Sequence, residues 1–219
     1  MDDAPIRVLV VDDHALFRDG LISLIGRWNE FEVVGSASDG AEAVRLARQL
    51  EPDLVLMDVR MEGVGGVEAA RQITATQPHP RIAMLTVSNL GEDVFEALRG
   101  GAHGYLSKNE TAERLRDSLR GIMRGEAVMS SSTAAKVLAE FAQPDHPGGS
   151  PSGGSDRLSR RERDVLSLLV EGMSNDEIAQ TLHLSEATVK KHLGSIMAKL
   201  HLRNRVQVAV FGVRNGIVG

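Results

Sequence analysis

The chain has 219 residues, 42% of them hydrophobic, and a formal net charge of −5, a composition ordinary for a soluble globular protein long enough for one large domain or two small ones. No apolar run approaches the roughly 20 residues that a membrane-spanning helix needs, and the opening MDDAPIRVLVVDDH is acidic where a signal peptide would be basic, so a cytoplasmic protein with no membrane partner is expected. The absence of cysteine excludes disulfides, thiolate metal sites and cysteine nucleophiles, in keeping with a reducing compartment.

Ile6 to Val11 is the first apolar run, and it ends at Asp12, Asp13 and His14. Leu16, Phe17, Leu21, Leu24 and Ile25 follow at helical spacing. Phe31 to Ala37 reads as a second strand, with Asp39 as N-cap of a helix from Ala41 to Leu50. Leu54 to Met57 is an unbroken apolar run, the pattern of a strand buried on both faces, and it delivers Asp58 at its end. A glycine-rich turn, Gly63 to Gly66, then leads into a helix from about Val67 to Gln77. Pro78 and Pro80 break the chain before the run Ile82 to Leu85, which ends at Thr86. A helix from about Glu92 to Leu98, a short strand Gly104 to Leu106 leading to Lys108, and a helix Thr111 to Arg124 complete the series. Five strands alternating with helices predict an α/β fold with a doubly wound parallel sheet.

Ser131 to Phe141 has the pattern of one more helix, and Gln143 to Ser155 is rich in Pro, Gly and Ser, as in a solvated linker. The expected division is therefore residues 1–125, a helix and linker over 126–155, and a tail domain over 156–219. The tail holds 10 of the 25 Lys and Arg but only 7 of the 30 Asp and Glu, a formal +3 against −8 for the rest, which weakly favours a polyanionic partner. Its pattern is all helical. Ser159 with Glu162 and Ser174 with Glu177 make capping boxes, Ser185 starts a further helix in the same way, and Gly172 stands where a C-cap belongs. A short helix from Asn175, a turn at His183 and Leu184, a longer helix from Glu186 to Leu200 and a last helix from Arg203 to Asn215 predict a four-helix helix-turn-helix domain.

The strand ends of such a sheet share one rim, where ligands bind, and that rim would gather Asp12, Asp13, Asp58, Thr86 and Lys108. Asp58 by itself could be no more than a solvated strand end. Clustered carboxylates repel one another and call for a cation, and all-oxygen ligation suits Mg²⁺. A metal there lets Asp58 act as nucleophile of an in-line phosphoryl transfer, with Lys108 neutralising one phosphoryl oxygen and Thr86 donating to another. VLVVDDH, LMDVRM, MLTVS and GYLSK resemble the successive signatures of response-regulator receiver domains over about residues 5 to 125. The resemblance implies a flavodoxin-like fold, Asp58 as phosphoacceptor from a sensor histidine kinase, and Mg²⁺ on Asp12, Asp13, Asp58 and the Arg60 backbone carbonyl. It also implies Thr86 as switch hydroxyl and Tyr105 as switch aromatic. Glu62, where the family commonly has proline, and Val87, where a smaller residue is common, are departures.

In the helix from Glu186, Val189, Leu193, Ile196 and Leu200 form one stripe that must pack inward. Opposite lie Ala187, Lys191, Gly194 and Ala198, flanked by Thr188, Lys190 and Ser195. That face is either plainly solvated or a reader of DNA. The segment from Leu158 to about Ala209, with RERDVL, SNDEIA and TVKKH, resembles the LuxR-type DNA-binding domain, and receiver plus such a tail is the NarL/FixJ class of response regulators. The resemblance implies a regulator and not an enzyme, acting on double-stranded promoter DNA through Thr188, Lys190, Lys191, Gly194 and Ser195. Dimerisation through the last helix is implied as well, with RNA polymerase a candidate further partner. Three rivals stand beside this reading: an aspartyl-phosphate phosphatase, which wants a second carboxylate where Arg60 stands; a flavin module, which wants a phosphate loop where DDHALF stands; and a receiver serving only protein interaction.

Overall fold

The computed structural model describes residues 4–76, 80–87, 100–126, 128–129, 158–200, 202, 204–215 and 217. The helix expected at 92–98, that at 131–141 and the linker at 143–155 lie outside the described residues. The chain divides into two compact units, Met1–Ala134 and Ala135–Gly219.

The first unit alternates β1 (Ile6–Val11), α1 (Ala15–Ile25), β2 (Phe31–Ala37), α2 (Gly40–Leu50), β3 (Leu54–Asp58), α3 (Gly66–Thr76), β4 (Arg81–Thr86), β5 (Gly104–Ser107) and α4 (Ala112–Arg124). A two-residue β6 (Val128–Met129) follows. All pairings are parallel and the sheet order is β2-β1-β3-β4-β5-β6. The sixth strand, pairing Gly104 with Val128 and Tyr105 with Met129, adds to the five that apolar runs predict. Two residues are too few to carry a period, so only the exposed edge of β5 explains it.

Order and register place the rim. Val8, Val10, Leu54, Leu56, Ala83, Leu85 and Leu106 share one buried face with Leu21 and Ile25 of α1 and Leu115, Leu119 and Ile122 of α4. Pairing of Val11 with Met57, Asp58 with Leu85 and Thr86 with Ser107 brings the carboxyl ends of β1, β3, β4 and β5 level. Behind β3, a Cβ on Gly66 would stand 1.9 Å from the Asp58 carbonyl oxygen. Only glycine lets α3 start this close to the strand that carries Asp58.

The second unit comprises α5 (Arg160–Val170), α6 (Asn175–Leu182), α7 (Glu186–Leu200) and α8 (Arg205–Arg214) around Val165, Leu166, Leu169, Ile178, Val189, Leu193, Ile196, Val208 and Phe211. Both predicted capping boxes form, at Ser159 with Glu162 and at Ser174 with Glu177. Ser185 caps α7 by accepting from the Thr188 N–H at 3.1 Å. The expectation of a box there is corrected: the reciprocal bond needs Glu or Gln at the third helical position, which Thr188 occupies. His183 turns left-handed (φ 53°), and the Leu184 N–H returns to the Ala179 carbonyl at 2.8 Å, closing the turn between α6 and α7.

Candidate functional site

Asp12 directly follows β1 and Asp58 ends β3, and they are 0% and 5% exposed. The Lys108 ammonium stands just past β5, because the Lys108 N–H donates to the Thr86 carbonyl at 2.7 Å and keeps the chain against β4. From there Lys108 Nζ lies 2.7 Å from Asp12 Oδ2 and 2.7 Å from Asp58 Oδ2. The other oxygens take backbone donors, Asp12 Oδ1 from the His14 N–H at 2.9 Å and Asp58 Oδ1 from the Arg60 N–H at 3.3 Å. Lys108 Nζ also sits 4.6 Å from the centre of the Phe17 ring, an apolar wall that keeps water from one side of the ammonium.

Burial pushes the Asp58 carboxyl above its ordinary range; Lys108 opposes this, and the Asp12 charge adds to it. Burial acts to lower Lys108, but Asp12 and Asp58 outweigh it, so the ammonium stays protonated with a raised pKa. One cation thus serves two buried carboxylates, with a third, Asp13, beside them. Asp12, Asp13, His14 and Asp58 each present a ligand atom within 4.8 Å of the others. Three carboxylates with one neighbouring ammonium leave an excess of negative charge and an oxygen-rich donor set, which suits a hard divalent cation. Thr86, at the end of β4, is 2% exposed, and Tyr105, opposite Met84 on β5, is 2% exposed, so its ring is buried.

In the second unit the α7 stripe is buried as expected, with Val189 and Ile196 at 0% and Leu193 at 6% exposed. Ala187, Lys190, Lys191, Gly194 and Ala198 are all exposed. Lys190 Nζ is 2.9 Å from the Glu186 carboxylate one turn back. A Cβ on Gly194 would meet nothing within 4 Å, so packing inside the unit gives no reason for a glycine in mid-helix. Thr188 is half-buried, its hydroxyl 2.8 Å from that of Ser185. Ser195 turns away from the outer face, donating its hydroxyl to Glu162 Oε1 at 2.6 Å.

Residues 8–120 match the family described as response regulator receiver domain, and residues 156–211 match bacterial regulatory proteins of the luxR family. The chain belongs to the response-regulator family. This response regulator is 38% identical to the uncharacterized transcriptional regulatory protein YxjL of Bacillus subtilis over 218 residues, all of both chains. It is likewise 38% identical to the transcriptional regulatory protein LiaR of the same organism over 97% of this chain and 99% of that one. Among solved structures it is similar to the response regulator ChrA of a heme-sensing two-component system, with a TM-score of 0.54, 29% identity, and coverage of 99% of this chain and 100% of that one. Receiver and luxR-type units together make the response regulator a phosphorylation-dependent DNA-binding regulator of a two-component system, and both of these Bacillus relatives are named as transcriptional regulatory proteins. Among the described residues no helix is long and apolar enough to cross a membrane.

The structure brings Asp12, Asp13, Asp58 and Lys108 into one cluster, with Thr86 on the adjoining strand end. It does not gather the five tail residues on one face, since Ser195 is held inward. Sequence reasoning missed Phe17 against Lys108, His14 within the carboxylate cluster, and the second role of Glu162. His14 left a trace in its place directly after Asp12 and Asp13, and Glu162 left one in Ser195 and Lys199, spaced four apart along one flank of the α7 stripe; Phe17 left none.

Proposed function

We propose that Asp58 accepts a phosphoryl group from the phosphohistidine of a sensor histidine kinase. A carboxylate oxygen of Asp58 attacks phosphorus in line, the P–N bond breaks, and the imidazole leaves with the electron pair, giving an acyl phosphate. Lys108 already lies between Asp12 and Asp58, where a phosphoryl oxygen of the product would take its charge. Asp12, Asp13, Asp58 and the Arg60 carbonyl would hold Mg²⁺, whose chemistry when bound is to neutralise charge shared by the carboxylates and the phosphoryl oxygens. Thr86 donates its hydroxyl to the phosphoryl group, and Tyr105, with its ring already buried, follows that movement as the switch.

The receiver of residues 1–125 then acts, through the segment 126–155, on the tail of 156–219, whose helix α7 enters the major groove of promoter DNA. Lys190, Lys191, Thr188 and the exposed backbone at Gly194 are its contacts, while Ser195, which the sequence places among them, is bonded inward to Glu162. α8 joins two copies on paired half-sites. A cytoplasmic location and contact with RNA polymerase at the promoter complete the scheme.

The observation that carries this reading is the placement of one buried ammonium 2.7 Å from two buried carboxylates at the sheet's carboxyl rim, in a chain that continues into a luxR-type tail. The phosphatase alternative lacks its general acid, because the second residue after Asp58 is the exposed Arg60. The test is a gel shift on genomic fragments with acetyl phosphate and Mg²⁺: retardation should depend on the phosphodonor in the native chain and lose that dependence in Asp58→Ala. Equal retardation with and without phosphodonor in the native chain would overturn it.

A further inference from the structure

Glu162 does more than cap a helix. It is 4% exposed, and in the capping box its Oε2 accepts from the Ser159 N–H at 2.7 Å. A buried carboxylate has further lone pairs, costly to leave bare, and α7 supplies the partners. The Ser195 hydroxyl donates to Oε1 at 2.6 Å, and Lys199 Nζ lies 2.8 Å from Oε1 and 2.7 Å from Oε2. Ser195 and Lys199 are one turn apart on a single flank of α7, so rotating the helix about its axis, or slipping it by one residue, would break both bonds together.

We propose that Glu162 is a positioning residue for DNA recognition: by gripping Ser195 and Lys199 it fixes the rotation of α7 and so aims Lys191, Gly194 and Ala198 outward as one face. The inference rests on the reading of α7 as the recognition helix. It assigns Ser195 and Lys199 to the grip instead of to phosphate or base contacts, so the charge of Lys199 is paired with Glu162 at the edge of the helix.

The experiment uses the full-length chain with acetyl phosphate and Mg²⁺, duplexes that the native chain selects from a randomised pool, and shuffled duplexes as the non-specific reference. Anisotropy titrations in a salt series are run on Glu162→Gln, Ser195→Ala, Lys199→Met and Lys191→Met, each below its own melting temperature. Glu162→Gln and Lys199→Met should lower the ratio of selected to shuffled affinity about tenfold, the scale of a misplaced base contact, with the salt slope of Lys199→Met unchanged. Ser195→Ala should lower the ratio by a smaller factor. Lys191→Met should instead weaken both duplexes and reduce the slope by about 1. A merely stabilising Glu162 would leave the ratio intact in folded protein, and that result overturns the proposal, as does a Lys199→Met slope reduced by about 1. Should Glu162→Gln fail to fold, Ser195→Ala and Lys199→Met decide the matter alone. A native chain that selects no duplex removes the recognition-helix reading itself, and the inference with it.

Discussion

Each unit of the chain buries a carboxylate against a lysine, yet the two arrangements are opposites. In the tail, Glu162 receives Ser159, Ser195 and Lys199, and its lone pairs are filled from three directions. Burial raises its pKa, but the bonds from Lys199, Ser195 and Ser159 prevail and hold it at about 2. At the rim, Lys108 is shared between Asp12 and Asp58, and burial prevails at Asp58. Burial alone therefore does not distinguish a reactive acid from a structural one. What separates them is charge balance: Glu162 has Lys199 to itself, whereas Lys108 is divided between Asp12 and Asp58 with Asp13 beside them, the surplus of negative charge that the proposed cation and phosphoryl transfer would use.

The largest effect expected from breaking this contrast is at Lys108. Lys108→Met leaves two buried carboxylates without their counter-charge and should cost about 4 kcal/mol of receiver stability in metal-free buffer. Mg²⁺ should restore part of that loss by binding the folded form. Urea unfolding with and without Mg²⁺ checks both, and a variant as stable as the native chain would mean that the rim is not charge-strained.

Acid should separate the two units next. The Ile82 N–H donates to His103 Nδ1 at 3.2 Å, and burial, with the Arg81 charge beside it, lowers the His103 pKa to about 4. Protonation would remove that acceptor. Because the folded value lies below the ordinary 6.5, the receiver keeps its full stability above pH 6.5 and should lose about 3 kcal/mol as pH falls toward 4. For Glu162, likewise lowered in the fold, the tail keeps its stability above the ordinary 4.5 and loses it as pH falls through about 2, on the order of 2 kcal/mol. Acid melts followed by Trp28 fluorescence for the receiver and by helix signal for the whole chain should show the receiver weakening first. His103→Asn should remove most of its slope between pH 6.5 and 4.

The smallest effect sharpens the comparison on the outer face. Gly194→Ala should stabilise the tail by about 0.8 kcal/mol, since a mid-helix glycine costs that much where a methyl has free space. If the glycine serves close approach to DNA, duplex affinity should fall while the melting temperature rises. A rise in both would remove Gly194 from the interface.

Much of this was legible because the relevant signals are local. Apolar runs located the strands of the receiver, and the acids, hydroxyl and lysine that follow those runs located the rim, since parallel strands deliver their ends to one edge. The inward stripe of α7 followed from spacing alone. β6 was not legible, because two residues owe their strand state to the edge of β5. Ser195 read as part of the outer flank because a helical wheel shows which residues border a stripe but not which neighbouring helix covers the border. The partner that claims it, Glu162, lies 33 residues earlier and advertises itself only as a cap.

The most direct test of the central claim is intact-mass analysis with peptide mapping after exposure to acetyl phosphate and Mg²⁺. A single phosphoryl group on the peptide carrying Asp58, absent in Asp58→Ala and sharply reduced in Lys108→Met, is the predicted result. An unmodified native chain, or a phosphoryl group mapping to another residue, would contradict it.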